Sequence, residues 1–300
     1  MAMAPMANVT DMAFRRIIAK YGKPDVMWTE FVSADGLISP GREVLMKDLE
    51  YSEAERPIIA QLFTGHPDKM KEAGGLVGKL GFDGLDINMG CPDRSVEKQG
   101  GGAAMIKDKK NALAVLEAAR EGSGLPVSVK TRIGYNKNQI EDWIGFLLEQ
   151  KLPALTVHLR TRKEMSNVSA HWELMEGIVK MRDEISPETL VLGNGDVMSI
   201  EQAKEKVRET GCDGIMIGRG IFGNPWLFSG RIPSVEERLK VLVEHTKLYE
   251  KLLGKVKSFA LMKKHFKAYV SGWDGAKELR VKLMETENAK EVESVVKSYI

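Results

Sequence analysis

One cysteine lies in a loop, where it is placed to do chemistry. Cys91 follows the apolar run 84–88 within the segment NMGCP (88–92), and the glycine-rich segment QGGGA (99–103) comes soon after it. Functional side chains concentrate in such loops. A nucleophile would need a lowered thiol pKa and a neighbouring base, whereas a general acid needs a thiol that stays protonated at neutral pH. Nothing obviously acidifying adjoins Cys91, so we favour the general acid.

Two glycine-rich turns follow later apolar runs, as GNGD (193–196) and GRG (218–220). Gly193, Gly195, Gly218 and Gly220 permit close backbone approach and a positive φ. Their N–H groups, with the start of a short helix after Gly220, can hold a phosphate dianion, and Arg219 can add a charge-assisted hydrogen bond. Simple glycine turns would give the same pattern, but the occurrence of both segments after successive apolar runs favours a phosphate site.

A lysine ends another apolar run. Lys130 could extend from the rim into water, or it could be a fixed cation over a bound ring. A cation near N1 and O2 of a flavin stabilises negative charge there. Gln61 could hold the polar edge of the ring, and Pro5, Met6 and Ala7 could pack against it. These residues are consistent with FMN, although a sugar phosphate would also use a lysine and a phosphate site.

A histidine and an arginine stand together at the end of a further run. His158 alone could be an ordinary core histidine. Because Arg160 faces the same side two residues later, we expect both to contact cofactor or substrate.

Short apolar runs alternate with helical patterns through residues 1–233. We predict eight strands, at 3–6, 25–29, 57–63, 84–88, 127–131, 154–158, 190–194 and 214–218. Helices are predicted at 10–21, 66–80, 109–121, 138–151, 172–182 and 199–210, three of them after the capping residues Thr10, Asp108 and Ser199. Eight strand–helix repeats indicate an α/β fold, the (β/α)8 TIM barrel, whose strand ends carry the functional site.

The last part of the chain, 234–300, has helical spacing and no strand-like run, so we predict a small C-terminal helical bundle domain beside a catalytic barrel of residues 1–233. This part holds fourteen Lys and Arg against ten Asp and Glu. Five lysines and no acid occur between 255 and 267, namely Lys255, Lys257, Lys263, Lys264 and Lys267. The basic balance suggests a polyanionic partner, although a solvated helical face would also explain it.

The composition excludes several classes of protein. The 300 residues are 43% hydrophobic and 29% charged, which is typical of a globular enzyme. The two cysteines, Cys91 and Cys212, exclude a disulfide-rich scaffold and a CxxC zinc site, and we expect no metal. There is no apolar run of about 18 residues and no secretory leader, so we expect a cytoplasmic protein with no membrane partner.

The combination of these segments resembles the tRNA-dihydrouridine synthases, flavin barrels that reduce uracil bases in tRNA. The most specific match is DINMGCP (86–92), within the matching segment GLDINMGCPDRSVEKQGGGAAMIKD (84–108). The other matching segments are APMANVTDMAFR (4–15), TEFVSADGL (29–37), QLFTGHP (61–67), VSVKTRIG (127–134), TVHLRTR (156–162), GNGDV (193–197), GRGIFGNPWLF (218–228) and MKKHFKAYVSGWDGAKELRVKLM (262–284).

The resemblance implies a role for each matching residue. Cys91 would be the general acid. FMN would be bound by Pro5, Met6, Ala7, Gln61, Lys130, His158, Asn194, Gly195, Asp196, Gly218 and Arg219. Uracil and the tRNA backbone would be contacted by Asn88, Arg132, Arg160, Lys263, Lys264 and Arg280, with the rest of the 255–267 stretch and Lys282 also on the backbone.

The implied reaction joins these roles. NADPH would give hydride to flavin N5, hydride would pass to uracil C6, and Cys91 would protonate C5 from the opposite face. The base must leave its stack to react. No nicotinamide-binding fingerprint is visible, which fits a nicotinamide that visits only transiently. We expect a monomer that binds tRNA and NAD(P)H.

Three other functions fit parts of the sequence. An FMN barrel enzyme acting on a free small molecule, such as dihydroorotate or an enone, would share the flavin residues but has no use for a basic helical appendage. A phosphate-binding barrel without flavin would share the glycine turns. A non-catalytic RNA-binding protein is disfavoured by the intact Cys91 and Lys130.

Overall fold

The computed structural model describes residues 1–300 and contains one sheet of eight parallel strands. The strands are β1 (Ala2–Met3), β2 (Met27–Ser33), β3 (Ile58–Phe63), β4 (Gly84–Met89), β5 (Val127–Arg132), β6 (Ala154–His158), β7 (Leu190–Asn194) and β8 (Gly214–Ile217). They pair in the order β1-β8-β7-β6-β5-β4-β3-β2. A bridge from Ala2 to Val26 brings β1 beside the start of β2, so the barrel is nearly closed. The predicted TIM barrel is confirmed.

Helices cover the outside of the barrel and form the end of the chain. They are α1 (Met12–Tyr21), α2 (Ala34–Leu37), α3 (Arg42–Met46), α4 (Pro67–Lys79), α5 (Arg94–Lys98), α6 (Lys109–Ser123), α7 (Gly145–Glu149), α8 (Met175–Ile185), α9 (Ile200–Thr210), α10 (Val235–Leu253), α11 (Met262–Tyr269), α12 (Ala276–Glu285) and α13 (Ala289–Lys297). A π-helical turn, Ile140–Ile144, precedes α7. Short 3₁₀ turns occur at Lys47–Leu49, Glu53–Glu55, Gly102–Lys107, Trp172–Leu174, Arg219–Ile221, Leu227–Ser229 and Phe259–Leu261.

The strands agree with the prediction except near the start of the chain. β2 extends to Ser33, beyond the predicted 25–29, with a register shift between Trp28 and Phe31. In the extension, Phe31, Val32 and Ser33 continue to pair with β3, and the polar residues before them, Thr29 and Glu30, are buried. β1 is shorter than predicted, so Pro5 and Met6 lie in the loop that follows it.

Helix caps fix where the crossover helices begin. Asp108 accepts the N–H of Asn111 (3.0 Å) and Ser199 accepts the N–H of Gln202 (3.2 Å), as predicted. The prediction that Thr10 caps the first helix is wrong. Asp11 is the cap, and the Thr10 hydroxyl instead accepts the N–H of Met6 (2.9 Å).

The C-terminal helices pack on the first helix of the barrel. Apolar residues of α10 to α13 share a core with Met12, Ile17 and Trp226, apart from the larger core of the barrel. No helix combines the length and apolarity needed to cross a membrane. The boundary between two domains at residue 233 stays a prediction.

Candidate active site

Two neighbouring cavities open at the carboxyl ends of the strands, with volumes of ≈ 250 Å³ and ≈ 150 Å³. Both are lined by Pro5, Lys130 and His158, so they form one continuous site. The larger cavity, which we call the β7–β8 cavity, is also lined by Ala4, Met6, Arg160, Ser166, Asn194, Gly195, Asp196, Val197, Met198, Met216, Gly218 and Arg219. The smaller, the Cys91 cavity, is also lined by Phe31, Gln61, Asn88, Gly90, Cys91, Pro92, Thr131 and Arg132.

The structure brings together most of the predicted site residues and separates four of them. Ala7 is exposed and lines neither cavity. Lys263 and Lys264 lie on α11, and Arg280 lies on α12, where its guanidinium donates to the Val270 carbonyl (2.8 Å). These three basic residues therefore belong to a surface separate from the cavities.

Cys91 sits on a loop whose backbone is held by Asn88. The Asn88 side-chain oxygen accepts the N–H of Gly90 (3.1 Å) and of Cys91 (2.8 Å). Burial raises the pKa of the Cys91 thiol above its usual 9.0, and this outweighs the opposing effect of nearby cations. The thiol is therefore protonated at neutral pH, as a proton donor requires.

A directed chain of hydrogen bonds runs beneath this loop. Gln61 donates through Nε2 to Asp86 (2.6 Å), and Asn88 donates through Nδ2 to Gln61 Oε1 (3.0 Å). Ser128 donates to the other oxygen of Asp86. Because an ionised carboxylate only accepts, it fixes the orientation of the Gln61 amide and then of Asn88. Burial raises the pKa of Asp86 to about 6, so the carboxylate is mostly ionised at neutral pH.

Lys130 connects the two cavities. Its ammonium donates to Asn194 Oδ1 (3.0 Å), and Asn194 Nδ2 donates to the Met216 carbonyl (2.8 Å). Burial lowers the pKa of Lys130 to about 8, and the charge of Arg132 acts in the same direction. The lysine is still mostly cationic at pH 7, with no carboxylate bonded to it.

His158 is neutral and its tautomer is fixed. Burial, with the cations of Lys130 and Arg132, holds the pKa of His158 well below 6.5. The Arg160 guanidinium lies 3.0 Å from His158 Nε2. Because arginine only donates, Nε2 accepts and the proton lies on Nδ1.

The β7–β8 cavity has the donors that an anion needs. The backbone N–H groups of Gly195, Asp196 and Gly218 donate to no other protein group. The Asp196 carboxylate bonds the guanidinium groups of Arg160 and Arg219, of which the Arg219 side chain is 59% exposed and free to turn towards a ligand.

Of the four glycines that permit a positive φ, one adopts it. Only Gly195 has a positive φ, of 134°. Gly193 is needed for another reason, since a Cβ there would lie 2.6 Å from the Trp172 ring. No α-helix follows Gly220, because the segment forms only the 3₁₀ turn Arg219–Ile221.

Two of the predicted nucleic-acid or substrate contacts are already engaged within the protein. The Arg132 guanidinium donates to the carbonyls of Gly90 (2.8 Å), Thr161 (3.1 Å) and Met165 (2.9 Å), so it joins the loop after β4 to the loop after β6. Lys257 forms ion pairs with Glu30 (2.7 Å) and Asp48 (2.6 Å) and is 11% exposed, so it is not free for a phosphate.

Several residues in or beneath the cavities were missed by the sequence analysis. Phe31 was missed because β2 was predicted too short. Asp86 alternates with Asn88 along β4, and this two-residue period in an apolar strand could have placed both inside the barrel. Ser166 lies in an irregular loop and gave no signal.

Comparison with known proteins identifies relatives along the whole chain. The family model described as "Dihydrouridine synthase (Dus)" matches residues 2–300. A probable tRNA-dihydrouridine synthase of Staphylococcus aureus is 40% identical over 302 residues, which cover 99% of this chain and 92% of that protein. The probable tRNA-dihydrouridine synthase 2 of Bacillus subtilis is 39% identical over 99% of this chain and 93% of its own length.

Solved structures show likeness in the fold alone. A morphinone reductase mutant in complex with tetrahydroNAD superposes with a TM-score of 0.53 at 14% identity, over 75% of this chain and 84% of that one. The amine oxidase HisD of Pseudomonas geniculata gives a TM-score of 0.56 at 13% identity, over 84% of this chain and 52% of that one. At these identities the likeness supports the barrel and no particular substrate.

Proposed function

Because this chain belongs to the dihydrouridine synthase family, we propose that it reduces the C5–C6 bond of uracil bases in tRNA, with FMN as cofactor and NAD(P)H as reductant. The observation that carries the proposal is the pairing of Cys91 and Lys130. A protonated thiol and a cation line one small cavity at the strand ends. A reduction that adds hydride and a proton across a double bond needs both kinds of group.

The joined cavities fit a flavin mononucleotide. The unbonded N–H groups of Gly195, Asp196 and Gly218, together with Arg219, suit the phosphate. Lys130, with Gln61 and Asn88 beyond it, suits the polar edge of the ring. We propose these residues, with Pro5, Met6, His158 and Asn194, as the FMN site.

The protein's own residues supply the proton and the orientation. When bound, the flavin would supply the hydride chemistry, taking hydride from NAD(P)H and giving it to uracil C6. Cys91 Sγ–H would donate its proton to C5, and the raised thiol pKa keeps that proton in place until it is needed. The neutral imidazole of His158, with its proton on Nδ1, can donate a hydrogen bond into the site without adding charge.

The tRNA would reach the site across the basic C-terminal helices. A uracil inside a stack cannot enter a cavity of ≈ 150 Å³, so the base must be turned out of its stack. We propose Lys263, Lys264 and Arg280 as phosphate contacts, with Arg160 and Asn88 nearer the base. Binding through such contacts weakens as salt rises. A tRNA substrate also implies a cytoplasmic location; a monomeric state stays a prediction.

The first test is the absorption spectrum of the purified protein under anaerobic conditions. We expect a flavin band that NADPH bleaches and that unmodified tRNA restores. A band that NADPH bleaches and tRNA leaves unchanged would favour a small-molecule reductase instead. No flavin band after FMN is supplied would contradict the cofactor.

A Cys91→Ala variant tests the proton donor. We expect the tRNA-dependent recovery of the flavin band to slow by roughly 10²- to 10⁴-fold, the usual contribution of a general acid. Bleaching by NADPH should keep its rate, because that step needs no proton from Cys91. Cys212→Ala is the matched control, since that thiol is buried away from the cavities. An unchanged tRNA step in Cys91→Ala would remove the thiol from the mechanism.

A further inference from the structure

Two loops at the mouth of the barrel are joined by an ion pair that the proposed chemistry does not use. Glu97 lies on α5, within the loop that carries Cys91, and Arg162 lies on the loop after β6. Arg162 Nε lies 3.1 Å from each carboxylate oxygen of Glu97, and Nη2 also bonds Oε2. A further, longer bond runs from Arg162 Nη2 to the carbonyl of Pro92 (3.4 Å), next to Cys91.

The surroundings make this pair stronger than an ordinary surface ion pair. The side chains are 12% exposed for Glu97 and 25% for Arg162. Tyr135, from the loop after β5, lies with its ring 5.4 Å from the Arg162 guanidinium, and Lys107 lies 4.3 Å over the same ring. Burial opposes the charge of Glu97, but the hydrogen bonds from Arg162, with the nearby Tyr135 acting in the same direction, outweigh it and lower the pKa of Glu97. A part-buried, multiply bonded Arg–carboxylate pair holds geometry as well as charge.

We propose that Glu97 and Arg162 are positioning residues for Cys91, forming a clasp that ties the Cys91 loop to the loop after β6. The Cys91 backbone is held from below by Asn88, and the clasp holds the loop from its outer side. With the clasp open, the thiol would move relative to the cavity. The consequence for turnover rests on the proposed function, whereas the structural part does not.

The thiol itself provides the assay. The chain has two cysteines, of which Cys91 is part-exposed and Cys212 is buried, so alkylation by iodoacetamide in the native protein reports on the Cys91 loop. In Glu97→Gln and in Arg162→Gln we expect alkylation of Cys91 to be about tenfold faster, because the loop opens more often. The two variants change the local charge in opposite directions and would shift the thiol pKa oppositely. Acceleration in both therefore identifies loop motion as the cause.

Matched controls separate the clasp from general loss of charge. Glu176→Gln breaks an exposed pair with Lys180 (2.7 Å) on α8 and should leave alkylation unchanged. The exchanged variant E97R/R162E should return the rate to within about twofold of the original, since the pair is restored with reversed polarity. Thermal unfolding of each variant shows whether faster alkylation reflects local rather than global opening.

A second readout connects the clasp to turnover. Both single variants should slow the tRNA-dependent recovery of the flavin band by about tenfold or more, because small misplacements of a reacting group are costly. Bleaching by NADPH should keep its rate. Unchanged alkylation in both variants would overturn the clasp, and faster alkylation with an unchanged tRNA step would overturn its role in positioning Cys91. If the unaltered protein shows no tRNA-dependent step, the proposed function fails while the alkylation result still decides the clasp.

Discussion

Lys130 keeps its charge where burial disfavours charge. Burial lowers its pKa to about 8 and its hydrogen-bond partner, Asn194, is neutral. Groups held against their solvation preference are common at functional sites, where a ligand supplies the missing partner. We infer that Lys130 lowers the stability of the ligand-free protein and gains its partner when an electron-rich ligand binds.

A Lys130→Met variant tests this balance. The penalty for a buried lysine with a lowered pKa is full below the folded pKa and is relieved as pH rises from about 8 towards 10.5. At pH 7 we therefore expect the ligand-free variant to be more stable by ~1–2 kcal/mol, after allowance for the lost hydrogen bond to Asn194. The advantage should shrink towards pH 10. FMN affinity should fall at least about tenfold, since a charge-assisted contact is lost.

Urea unfolding at pH 7 and pH 10, with FMN titration by fluorescence, measures both effects. Lys151→Met, at an exposed position between α7 and β6, is the control for removing a lysine. Equal FMN affinity in Lys130→Met and the unaltered protein would contradict a role for the cation.

The residues at the strand ends could be predicted, but their states could not. Lys130, His158 and Asn194 come at the ends of apolar runs, and that position alone predicts a common site. The neutral Nδ1–H tautomer of His158 depends on Arg160 meeting Nε2. The orientation of Gln61 depends on Asp86 from the neighbouring strand. Such contacts are made between side chains of different strands, and the spacing of residues along the sequence does not specify which side chains meet.

At the scale of elements, one glycine shapes the Cys91 loop. Gly102 begins the 3₁₀ turn Gly102–Lys107 with a φ of +58°, and a Cβ there would lie 2.6 Å from the Cys91 carbonyl oxygen. The same carbonyl accepts the N–H of Ala103 (2.9 Å). The glycine-rich segment therefore packs directly against the Cys91 backbone. This contact explains why residues without bulky side chains follow the cysteine in the sequence.

Gly102→Ala should move Cys91. The added methyl group meets the Cys91 backbone, and an L-residue at this φ is strained, so we expect a loss of about 2–4 kcal/mol in stability and a faster alkylation of Cys91. Gly124→Ala is the matched control, because Gly124 has a φ of +63° and an added methyl group there would meet no atom within 4 Å. It should lose only about 1 kcal/mol through backbone strain. Urea unfolding and iodoacetamide labelling measure both effects. Equal losses in the two variants would contradict the contact with Cys91.

Regular elements were predicted better than the irregular ones that shape the site. All eight strands overlap their predicted ranges, because a buried parallel strand is a continuous apolar run. β2 was predicted to end before Phe31, because Glu30 and Ser33 interrupt that run. The helix expected after Gly220 is a single 3₁₀ turn, and α5, which carries Glu97, was not predicted. Five-residue helices contain too little periodicity for a pattern to show.

At the scale of the whole molecule, a buried ion cluster joins the C-terminal helices to the barrel. Lys257, just after α10, pairs with Glu30 of β2 and with Asp48. The other oxygen of Glu30 accepts the backbone N–H of Asn8, in the loop that follows Pro5 and Met6. A chain cut after residue 233 would leave Glu30 buried without its cation. The barrel and the helical part are therefore expected to depend on each other for stability.

Replacing Lys257 by Met tests this dependence. Removing one member of a buried ion pair leaves an uncompensated charge, so we expect a loss of ~3–5 kcal/mol at pH 8. Burial raises the pKa of Glu30 above its usual 4.5 even beside Lys257. Without Lys257 the carboxyl can take up a proton as pH falls, so the loss should shrink between pH 8 and pH 5. The double variant E30Q/K257M removes the charge of Glu30 and leaves only the less buried Asp48 without its cation, so it should regain most of the stability at pH 8, with no pH dependence from Glu30. Lys255→Met, an exposed lysine of the same segment, should match the unaltered protein. Urea unfolding at both pH values measures these changes in stability. If the loss in Lys257→Met does not depend on pH, packing of the lysine stem, and not the charge of Glu30, joins the barrel to the C-terminal helices.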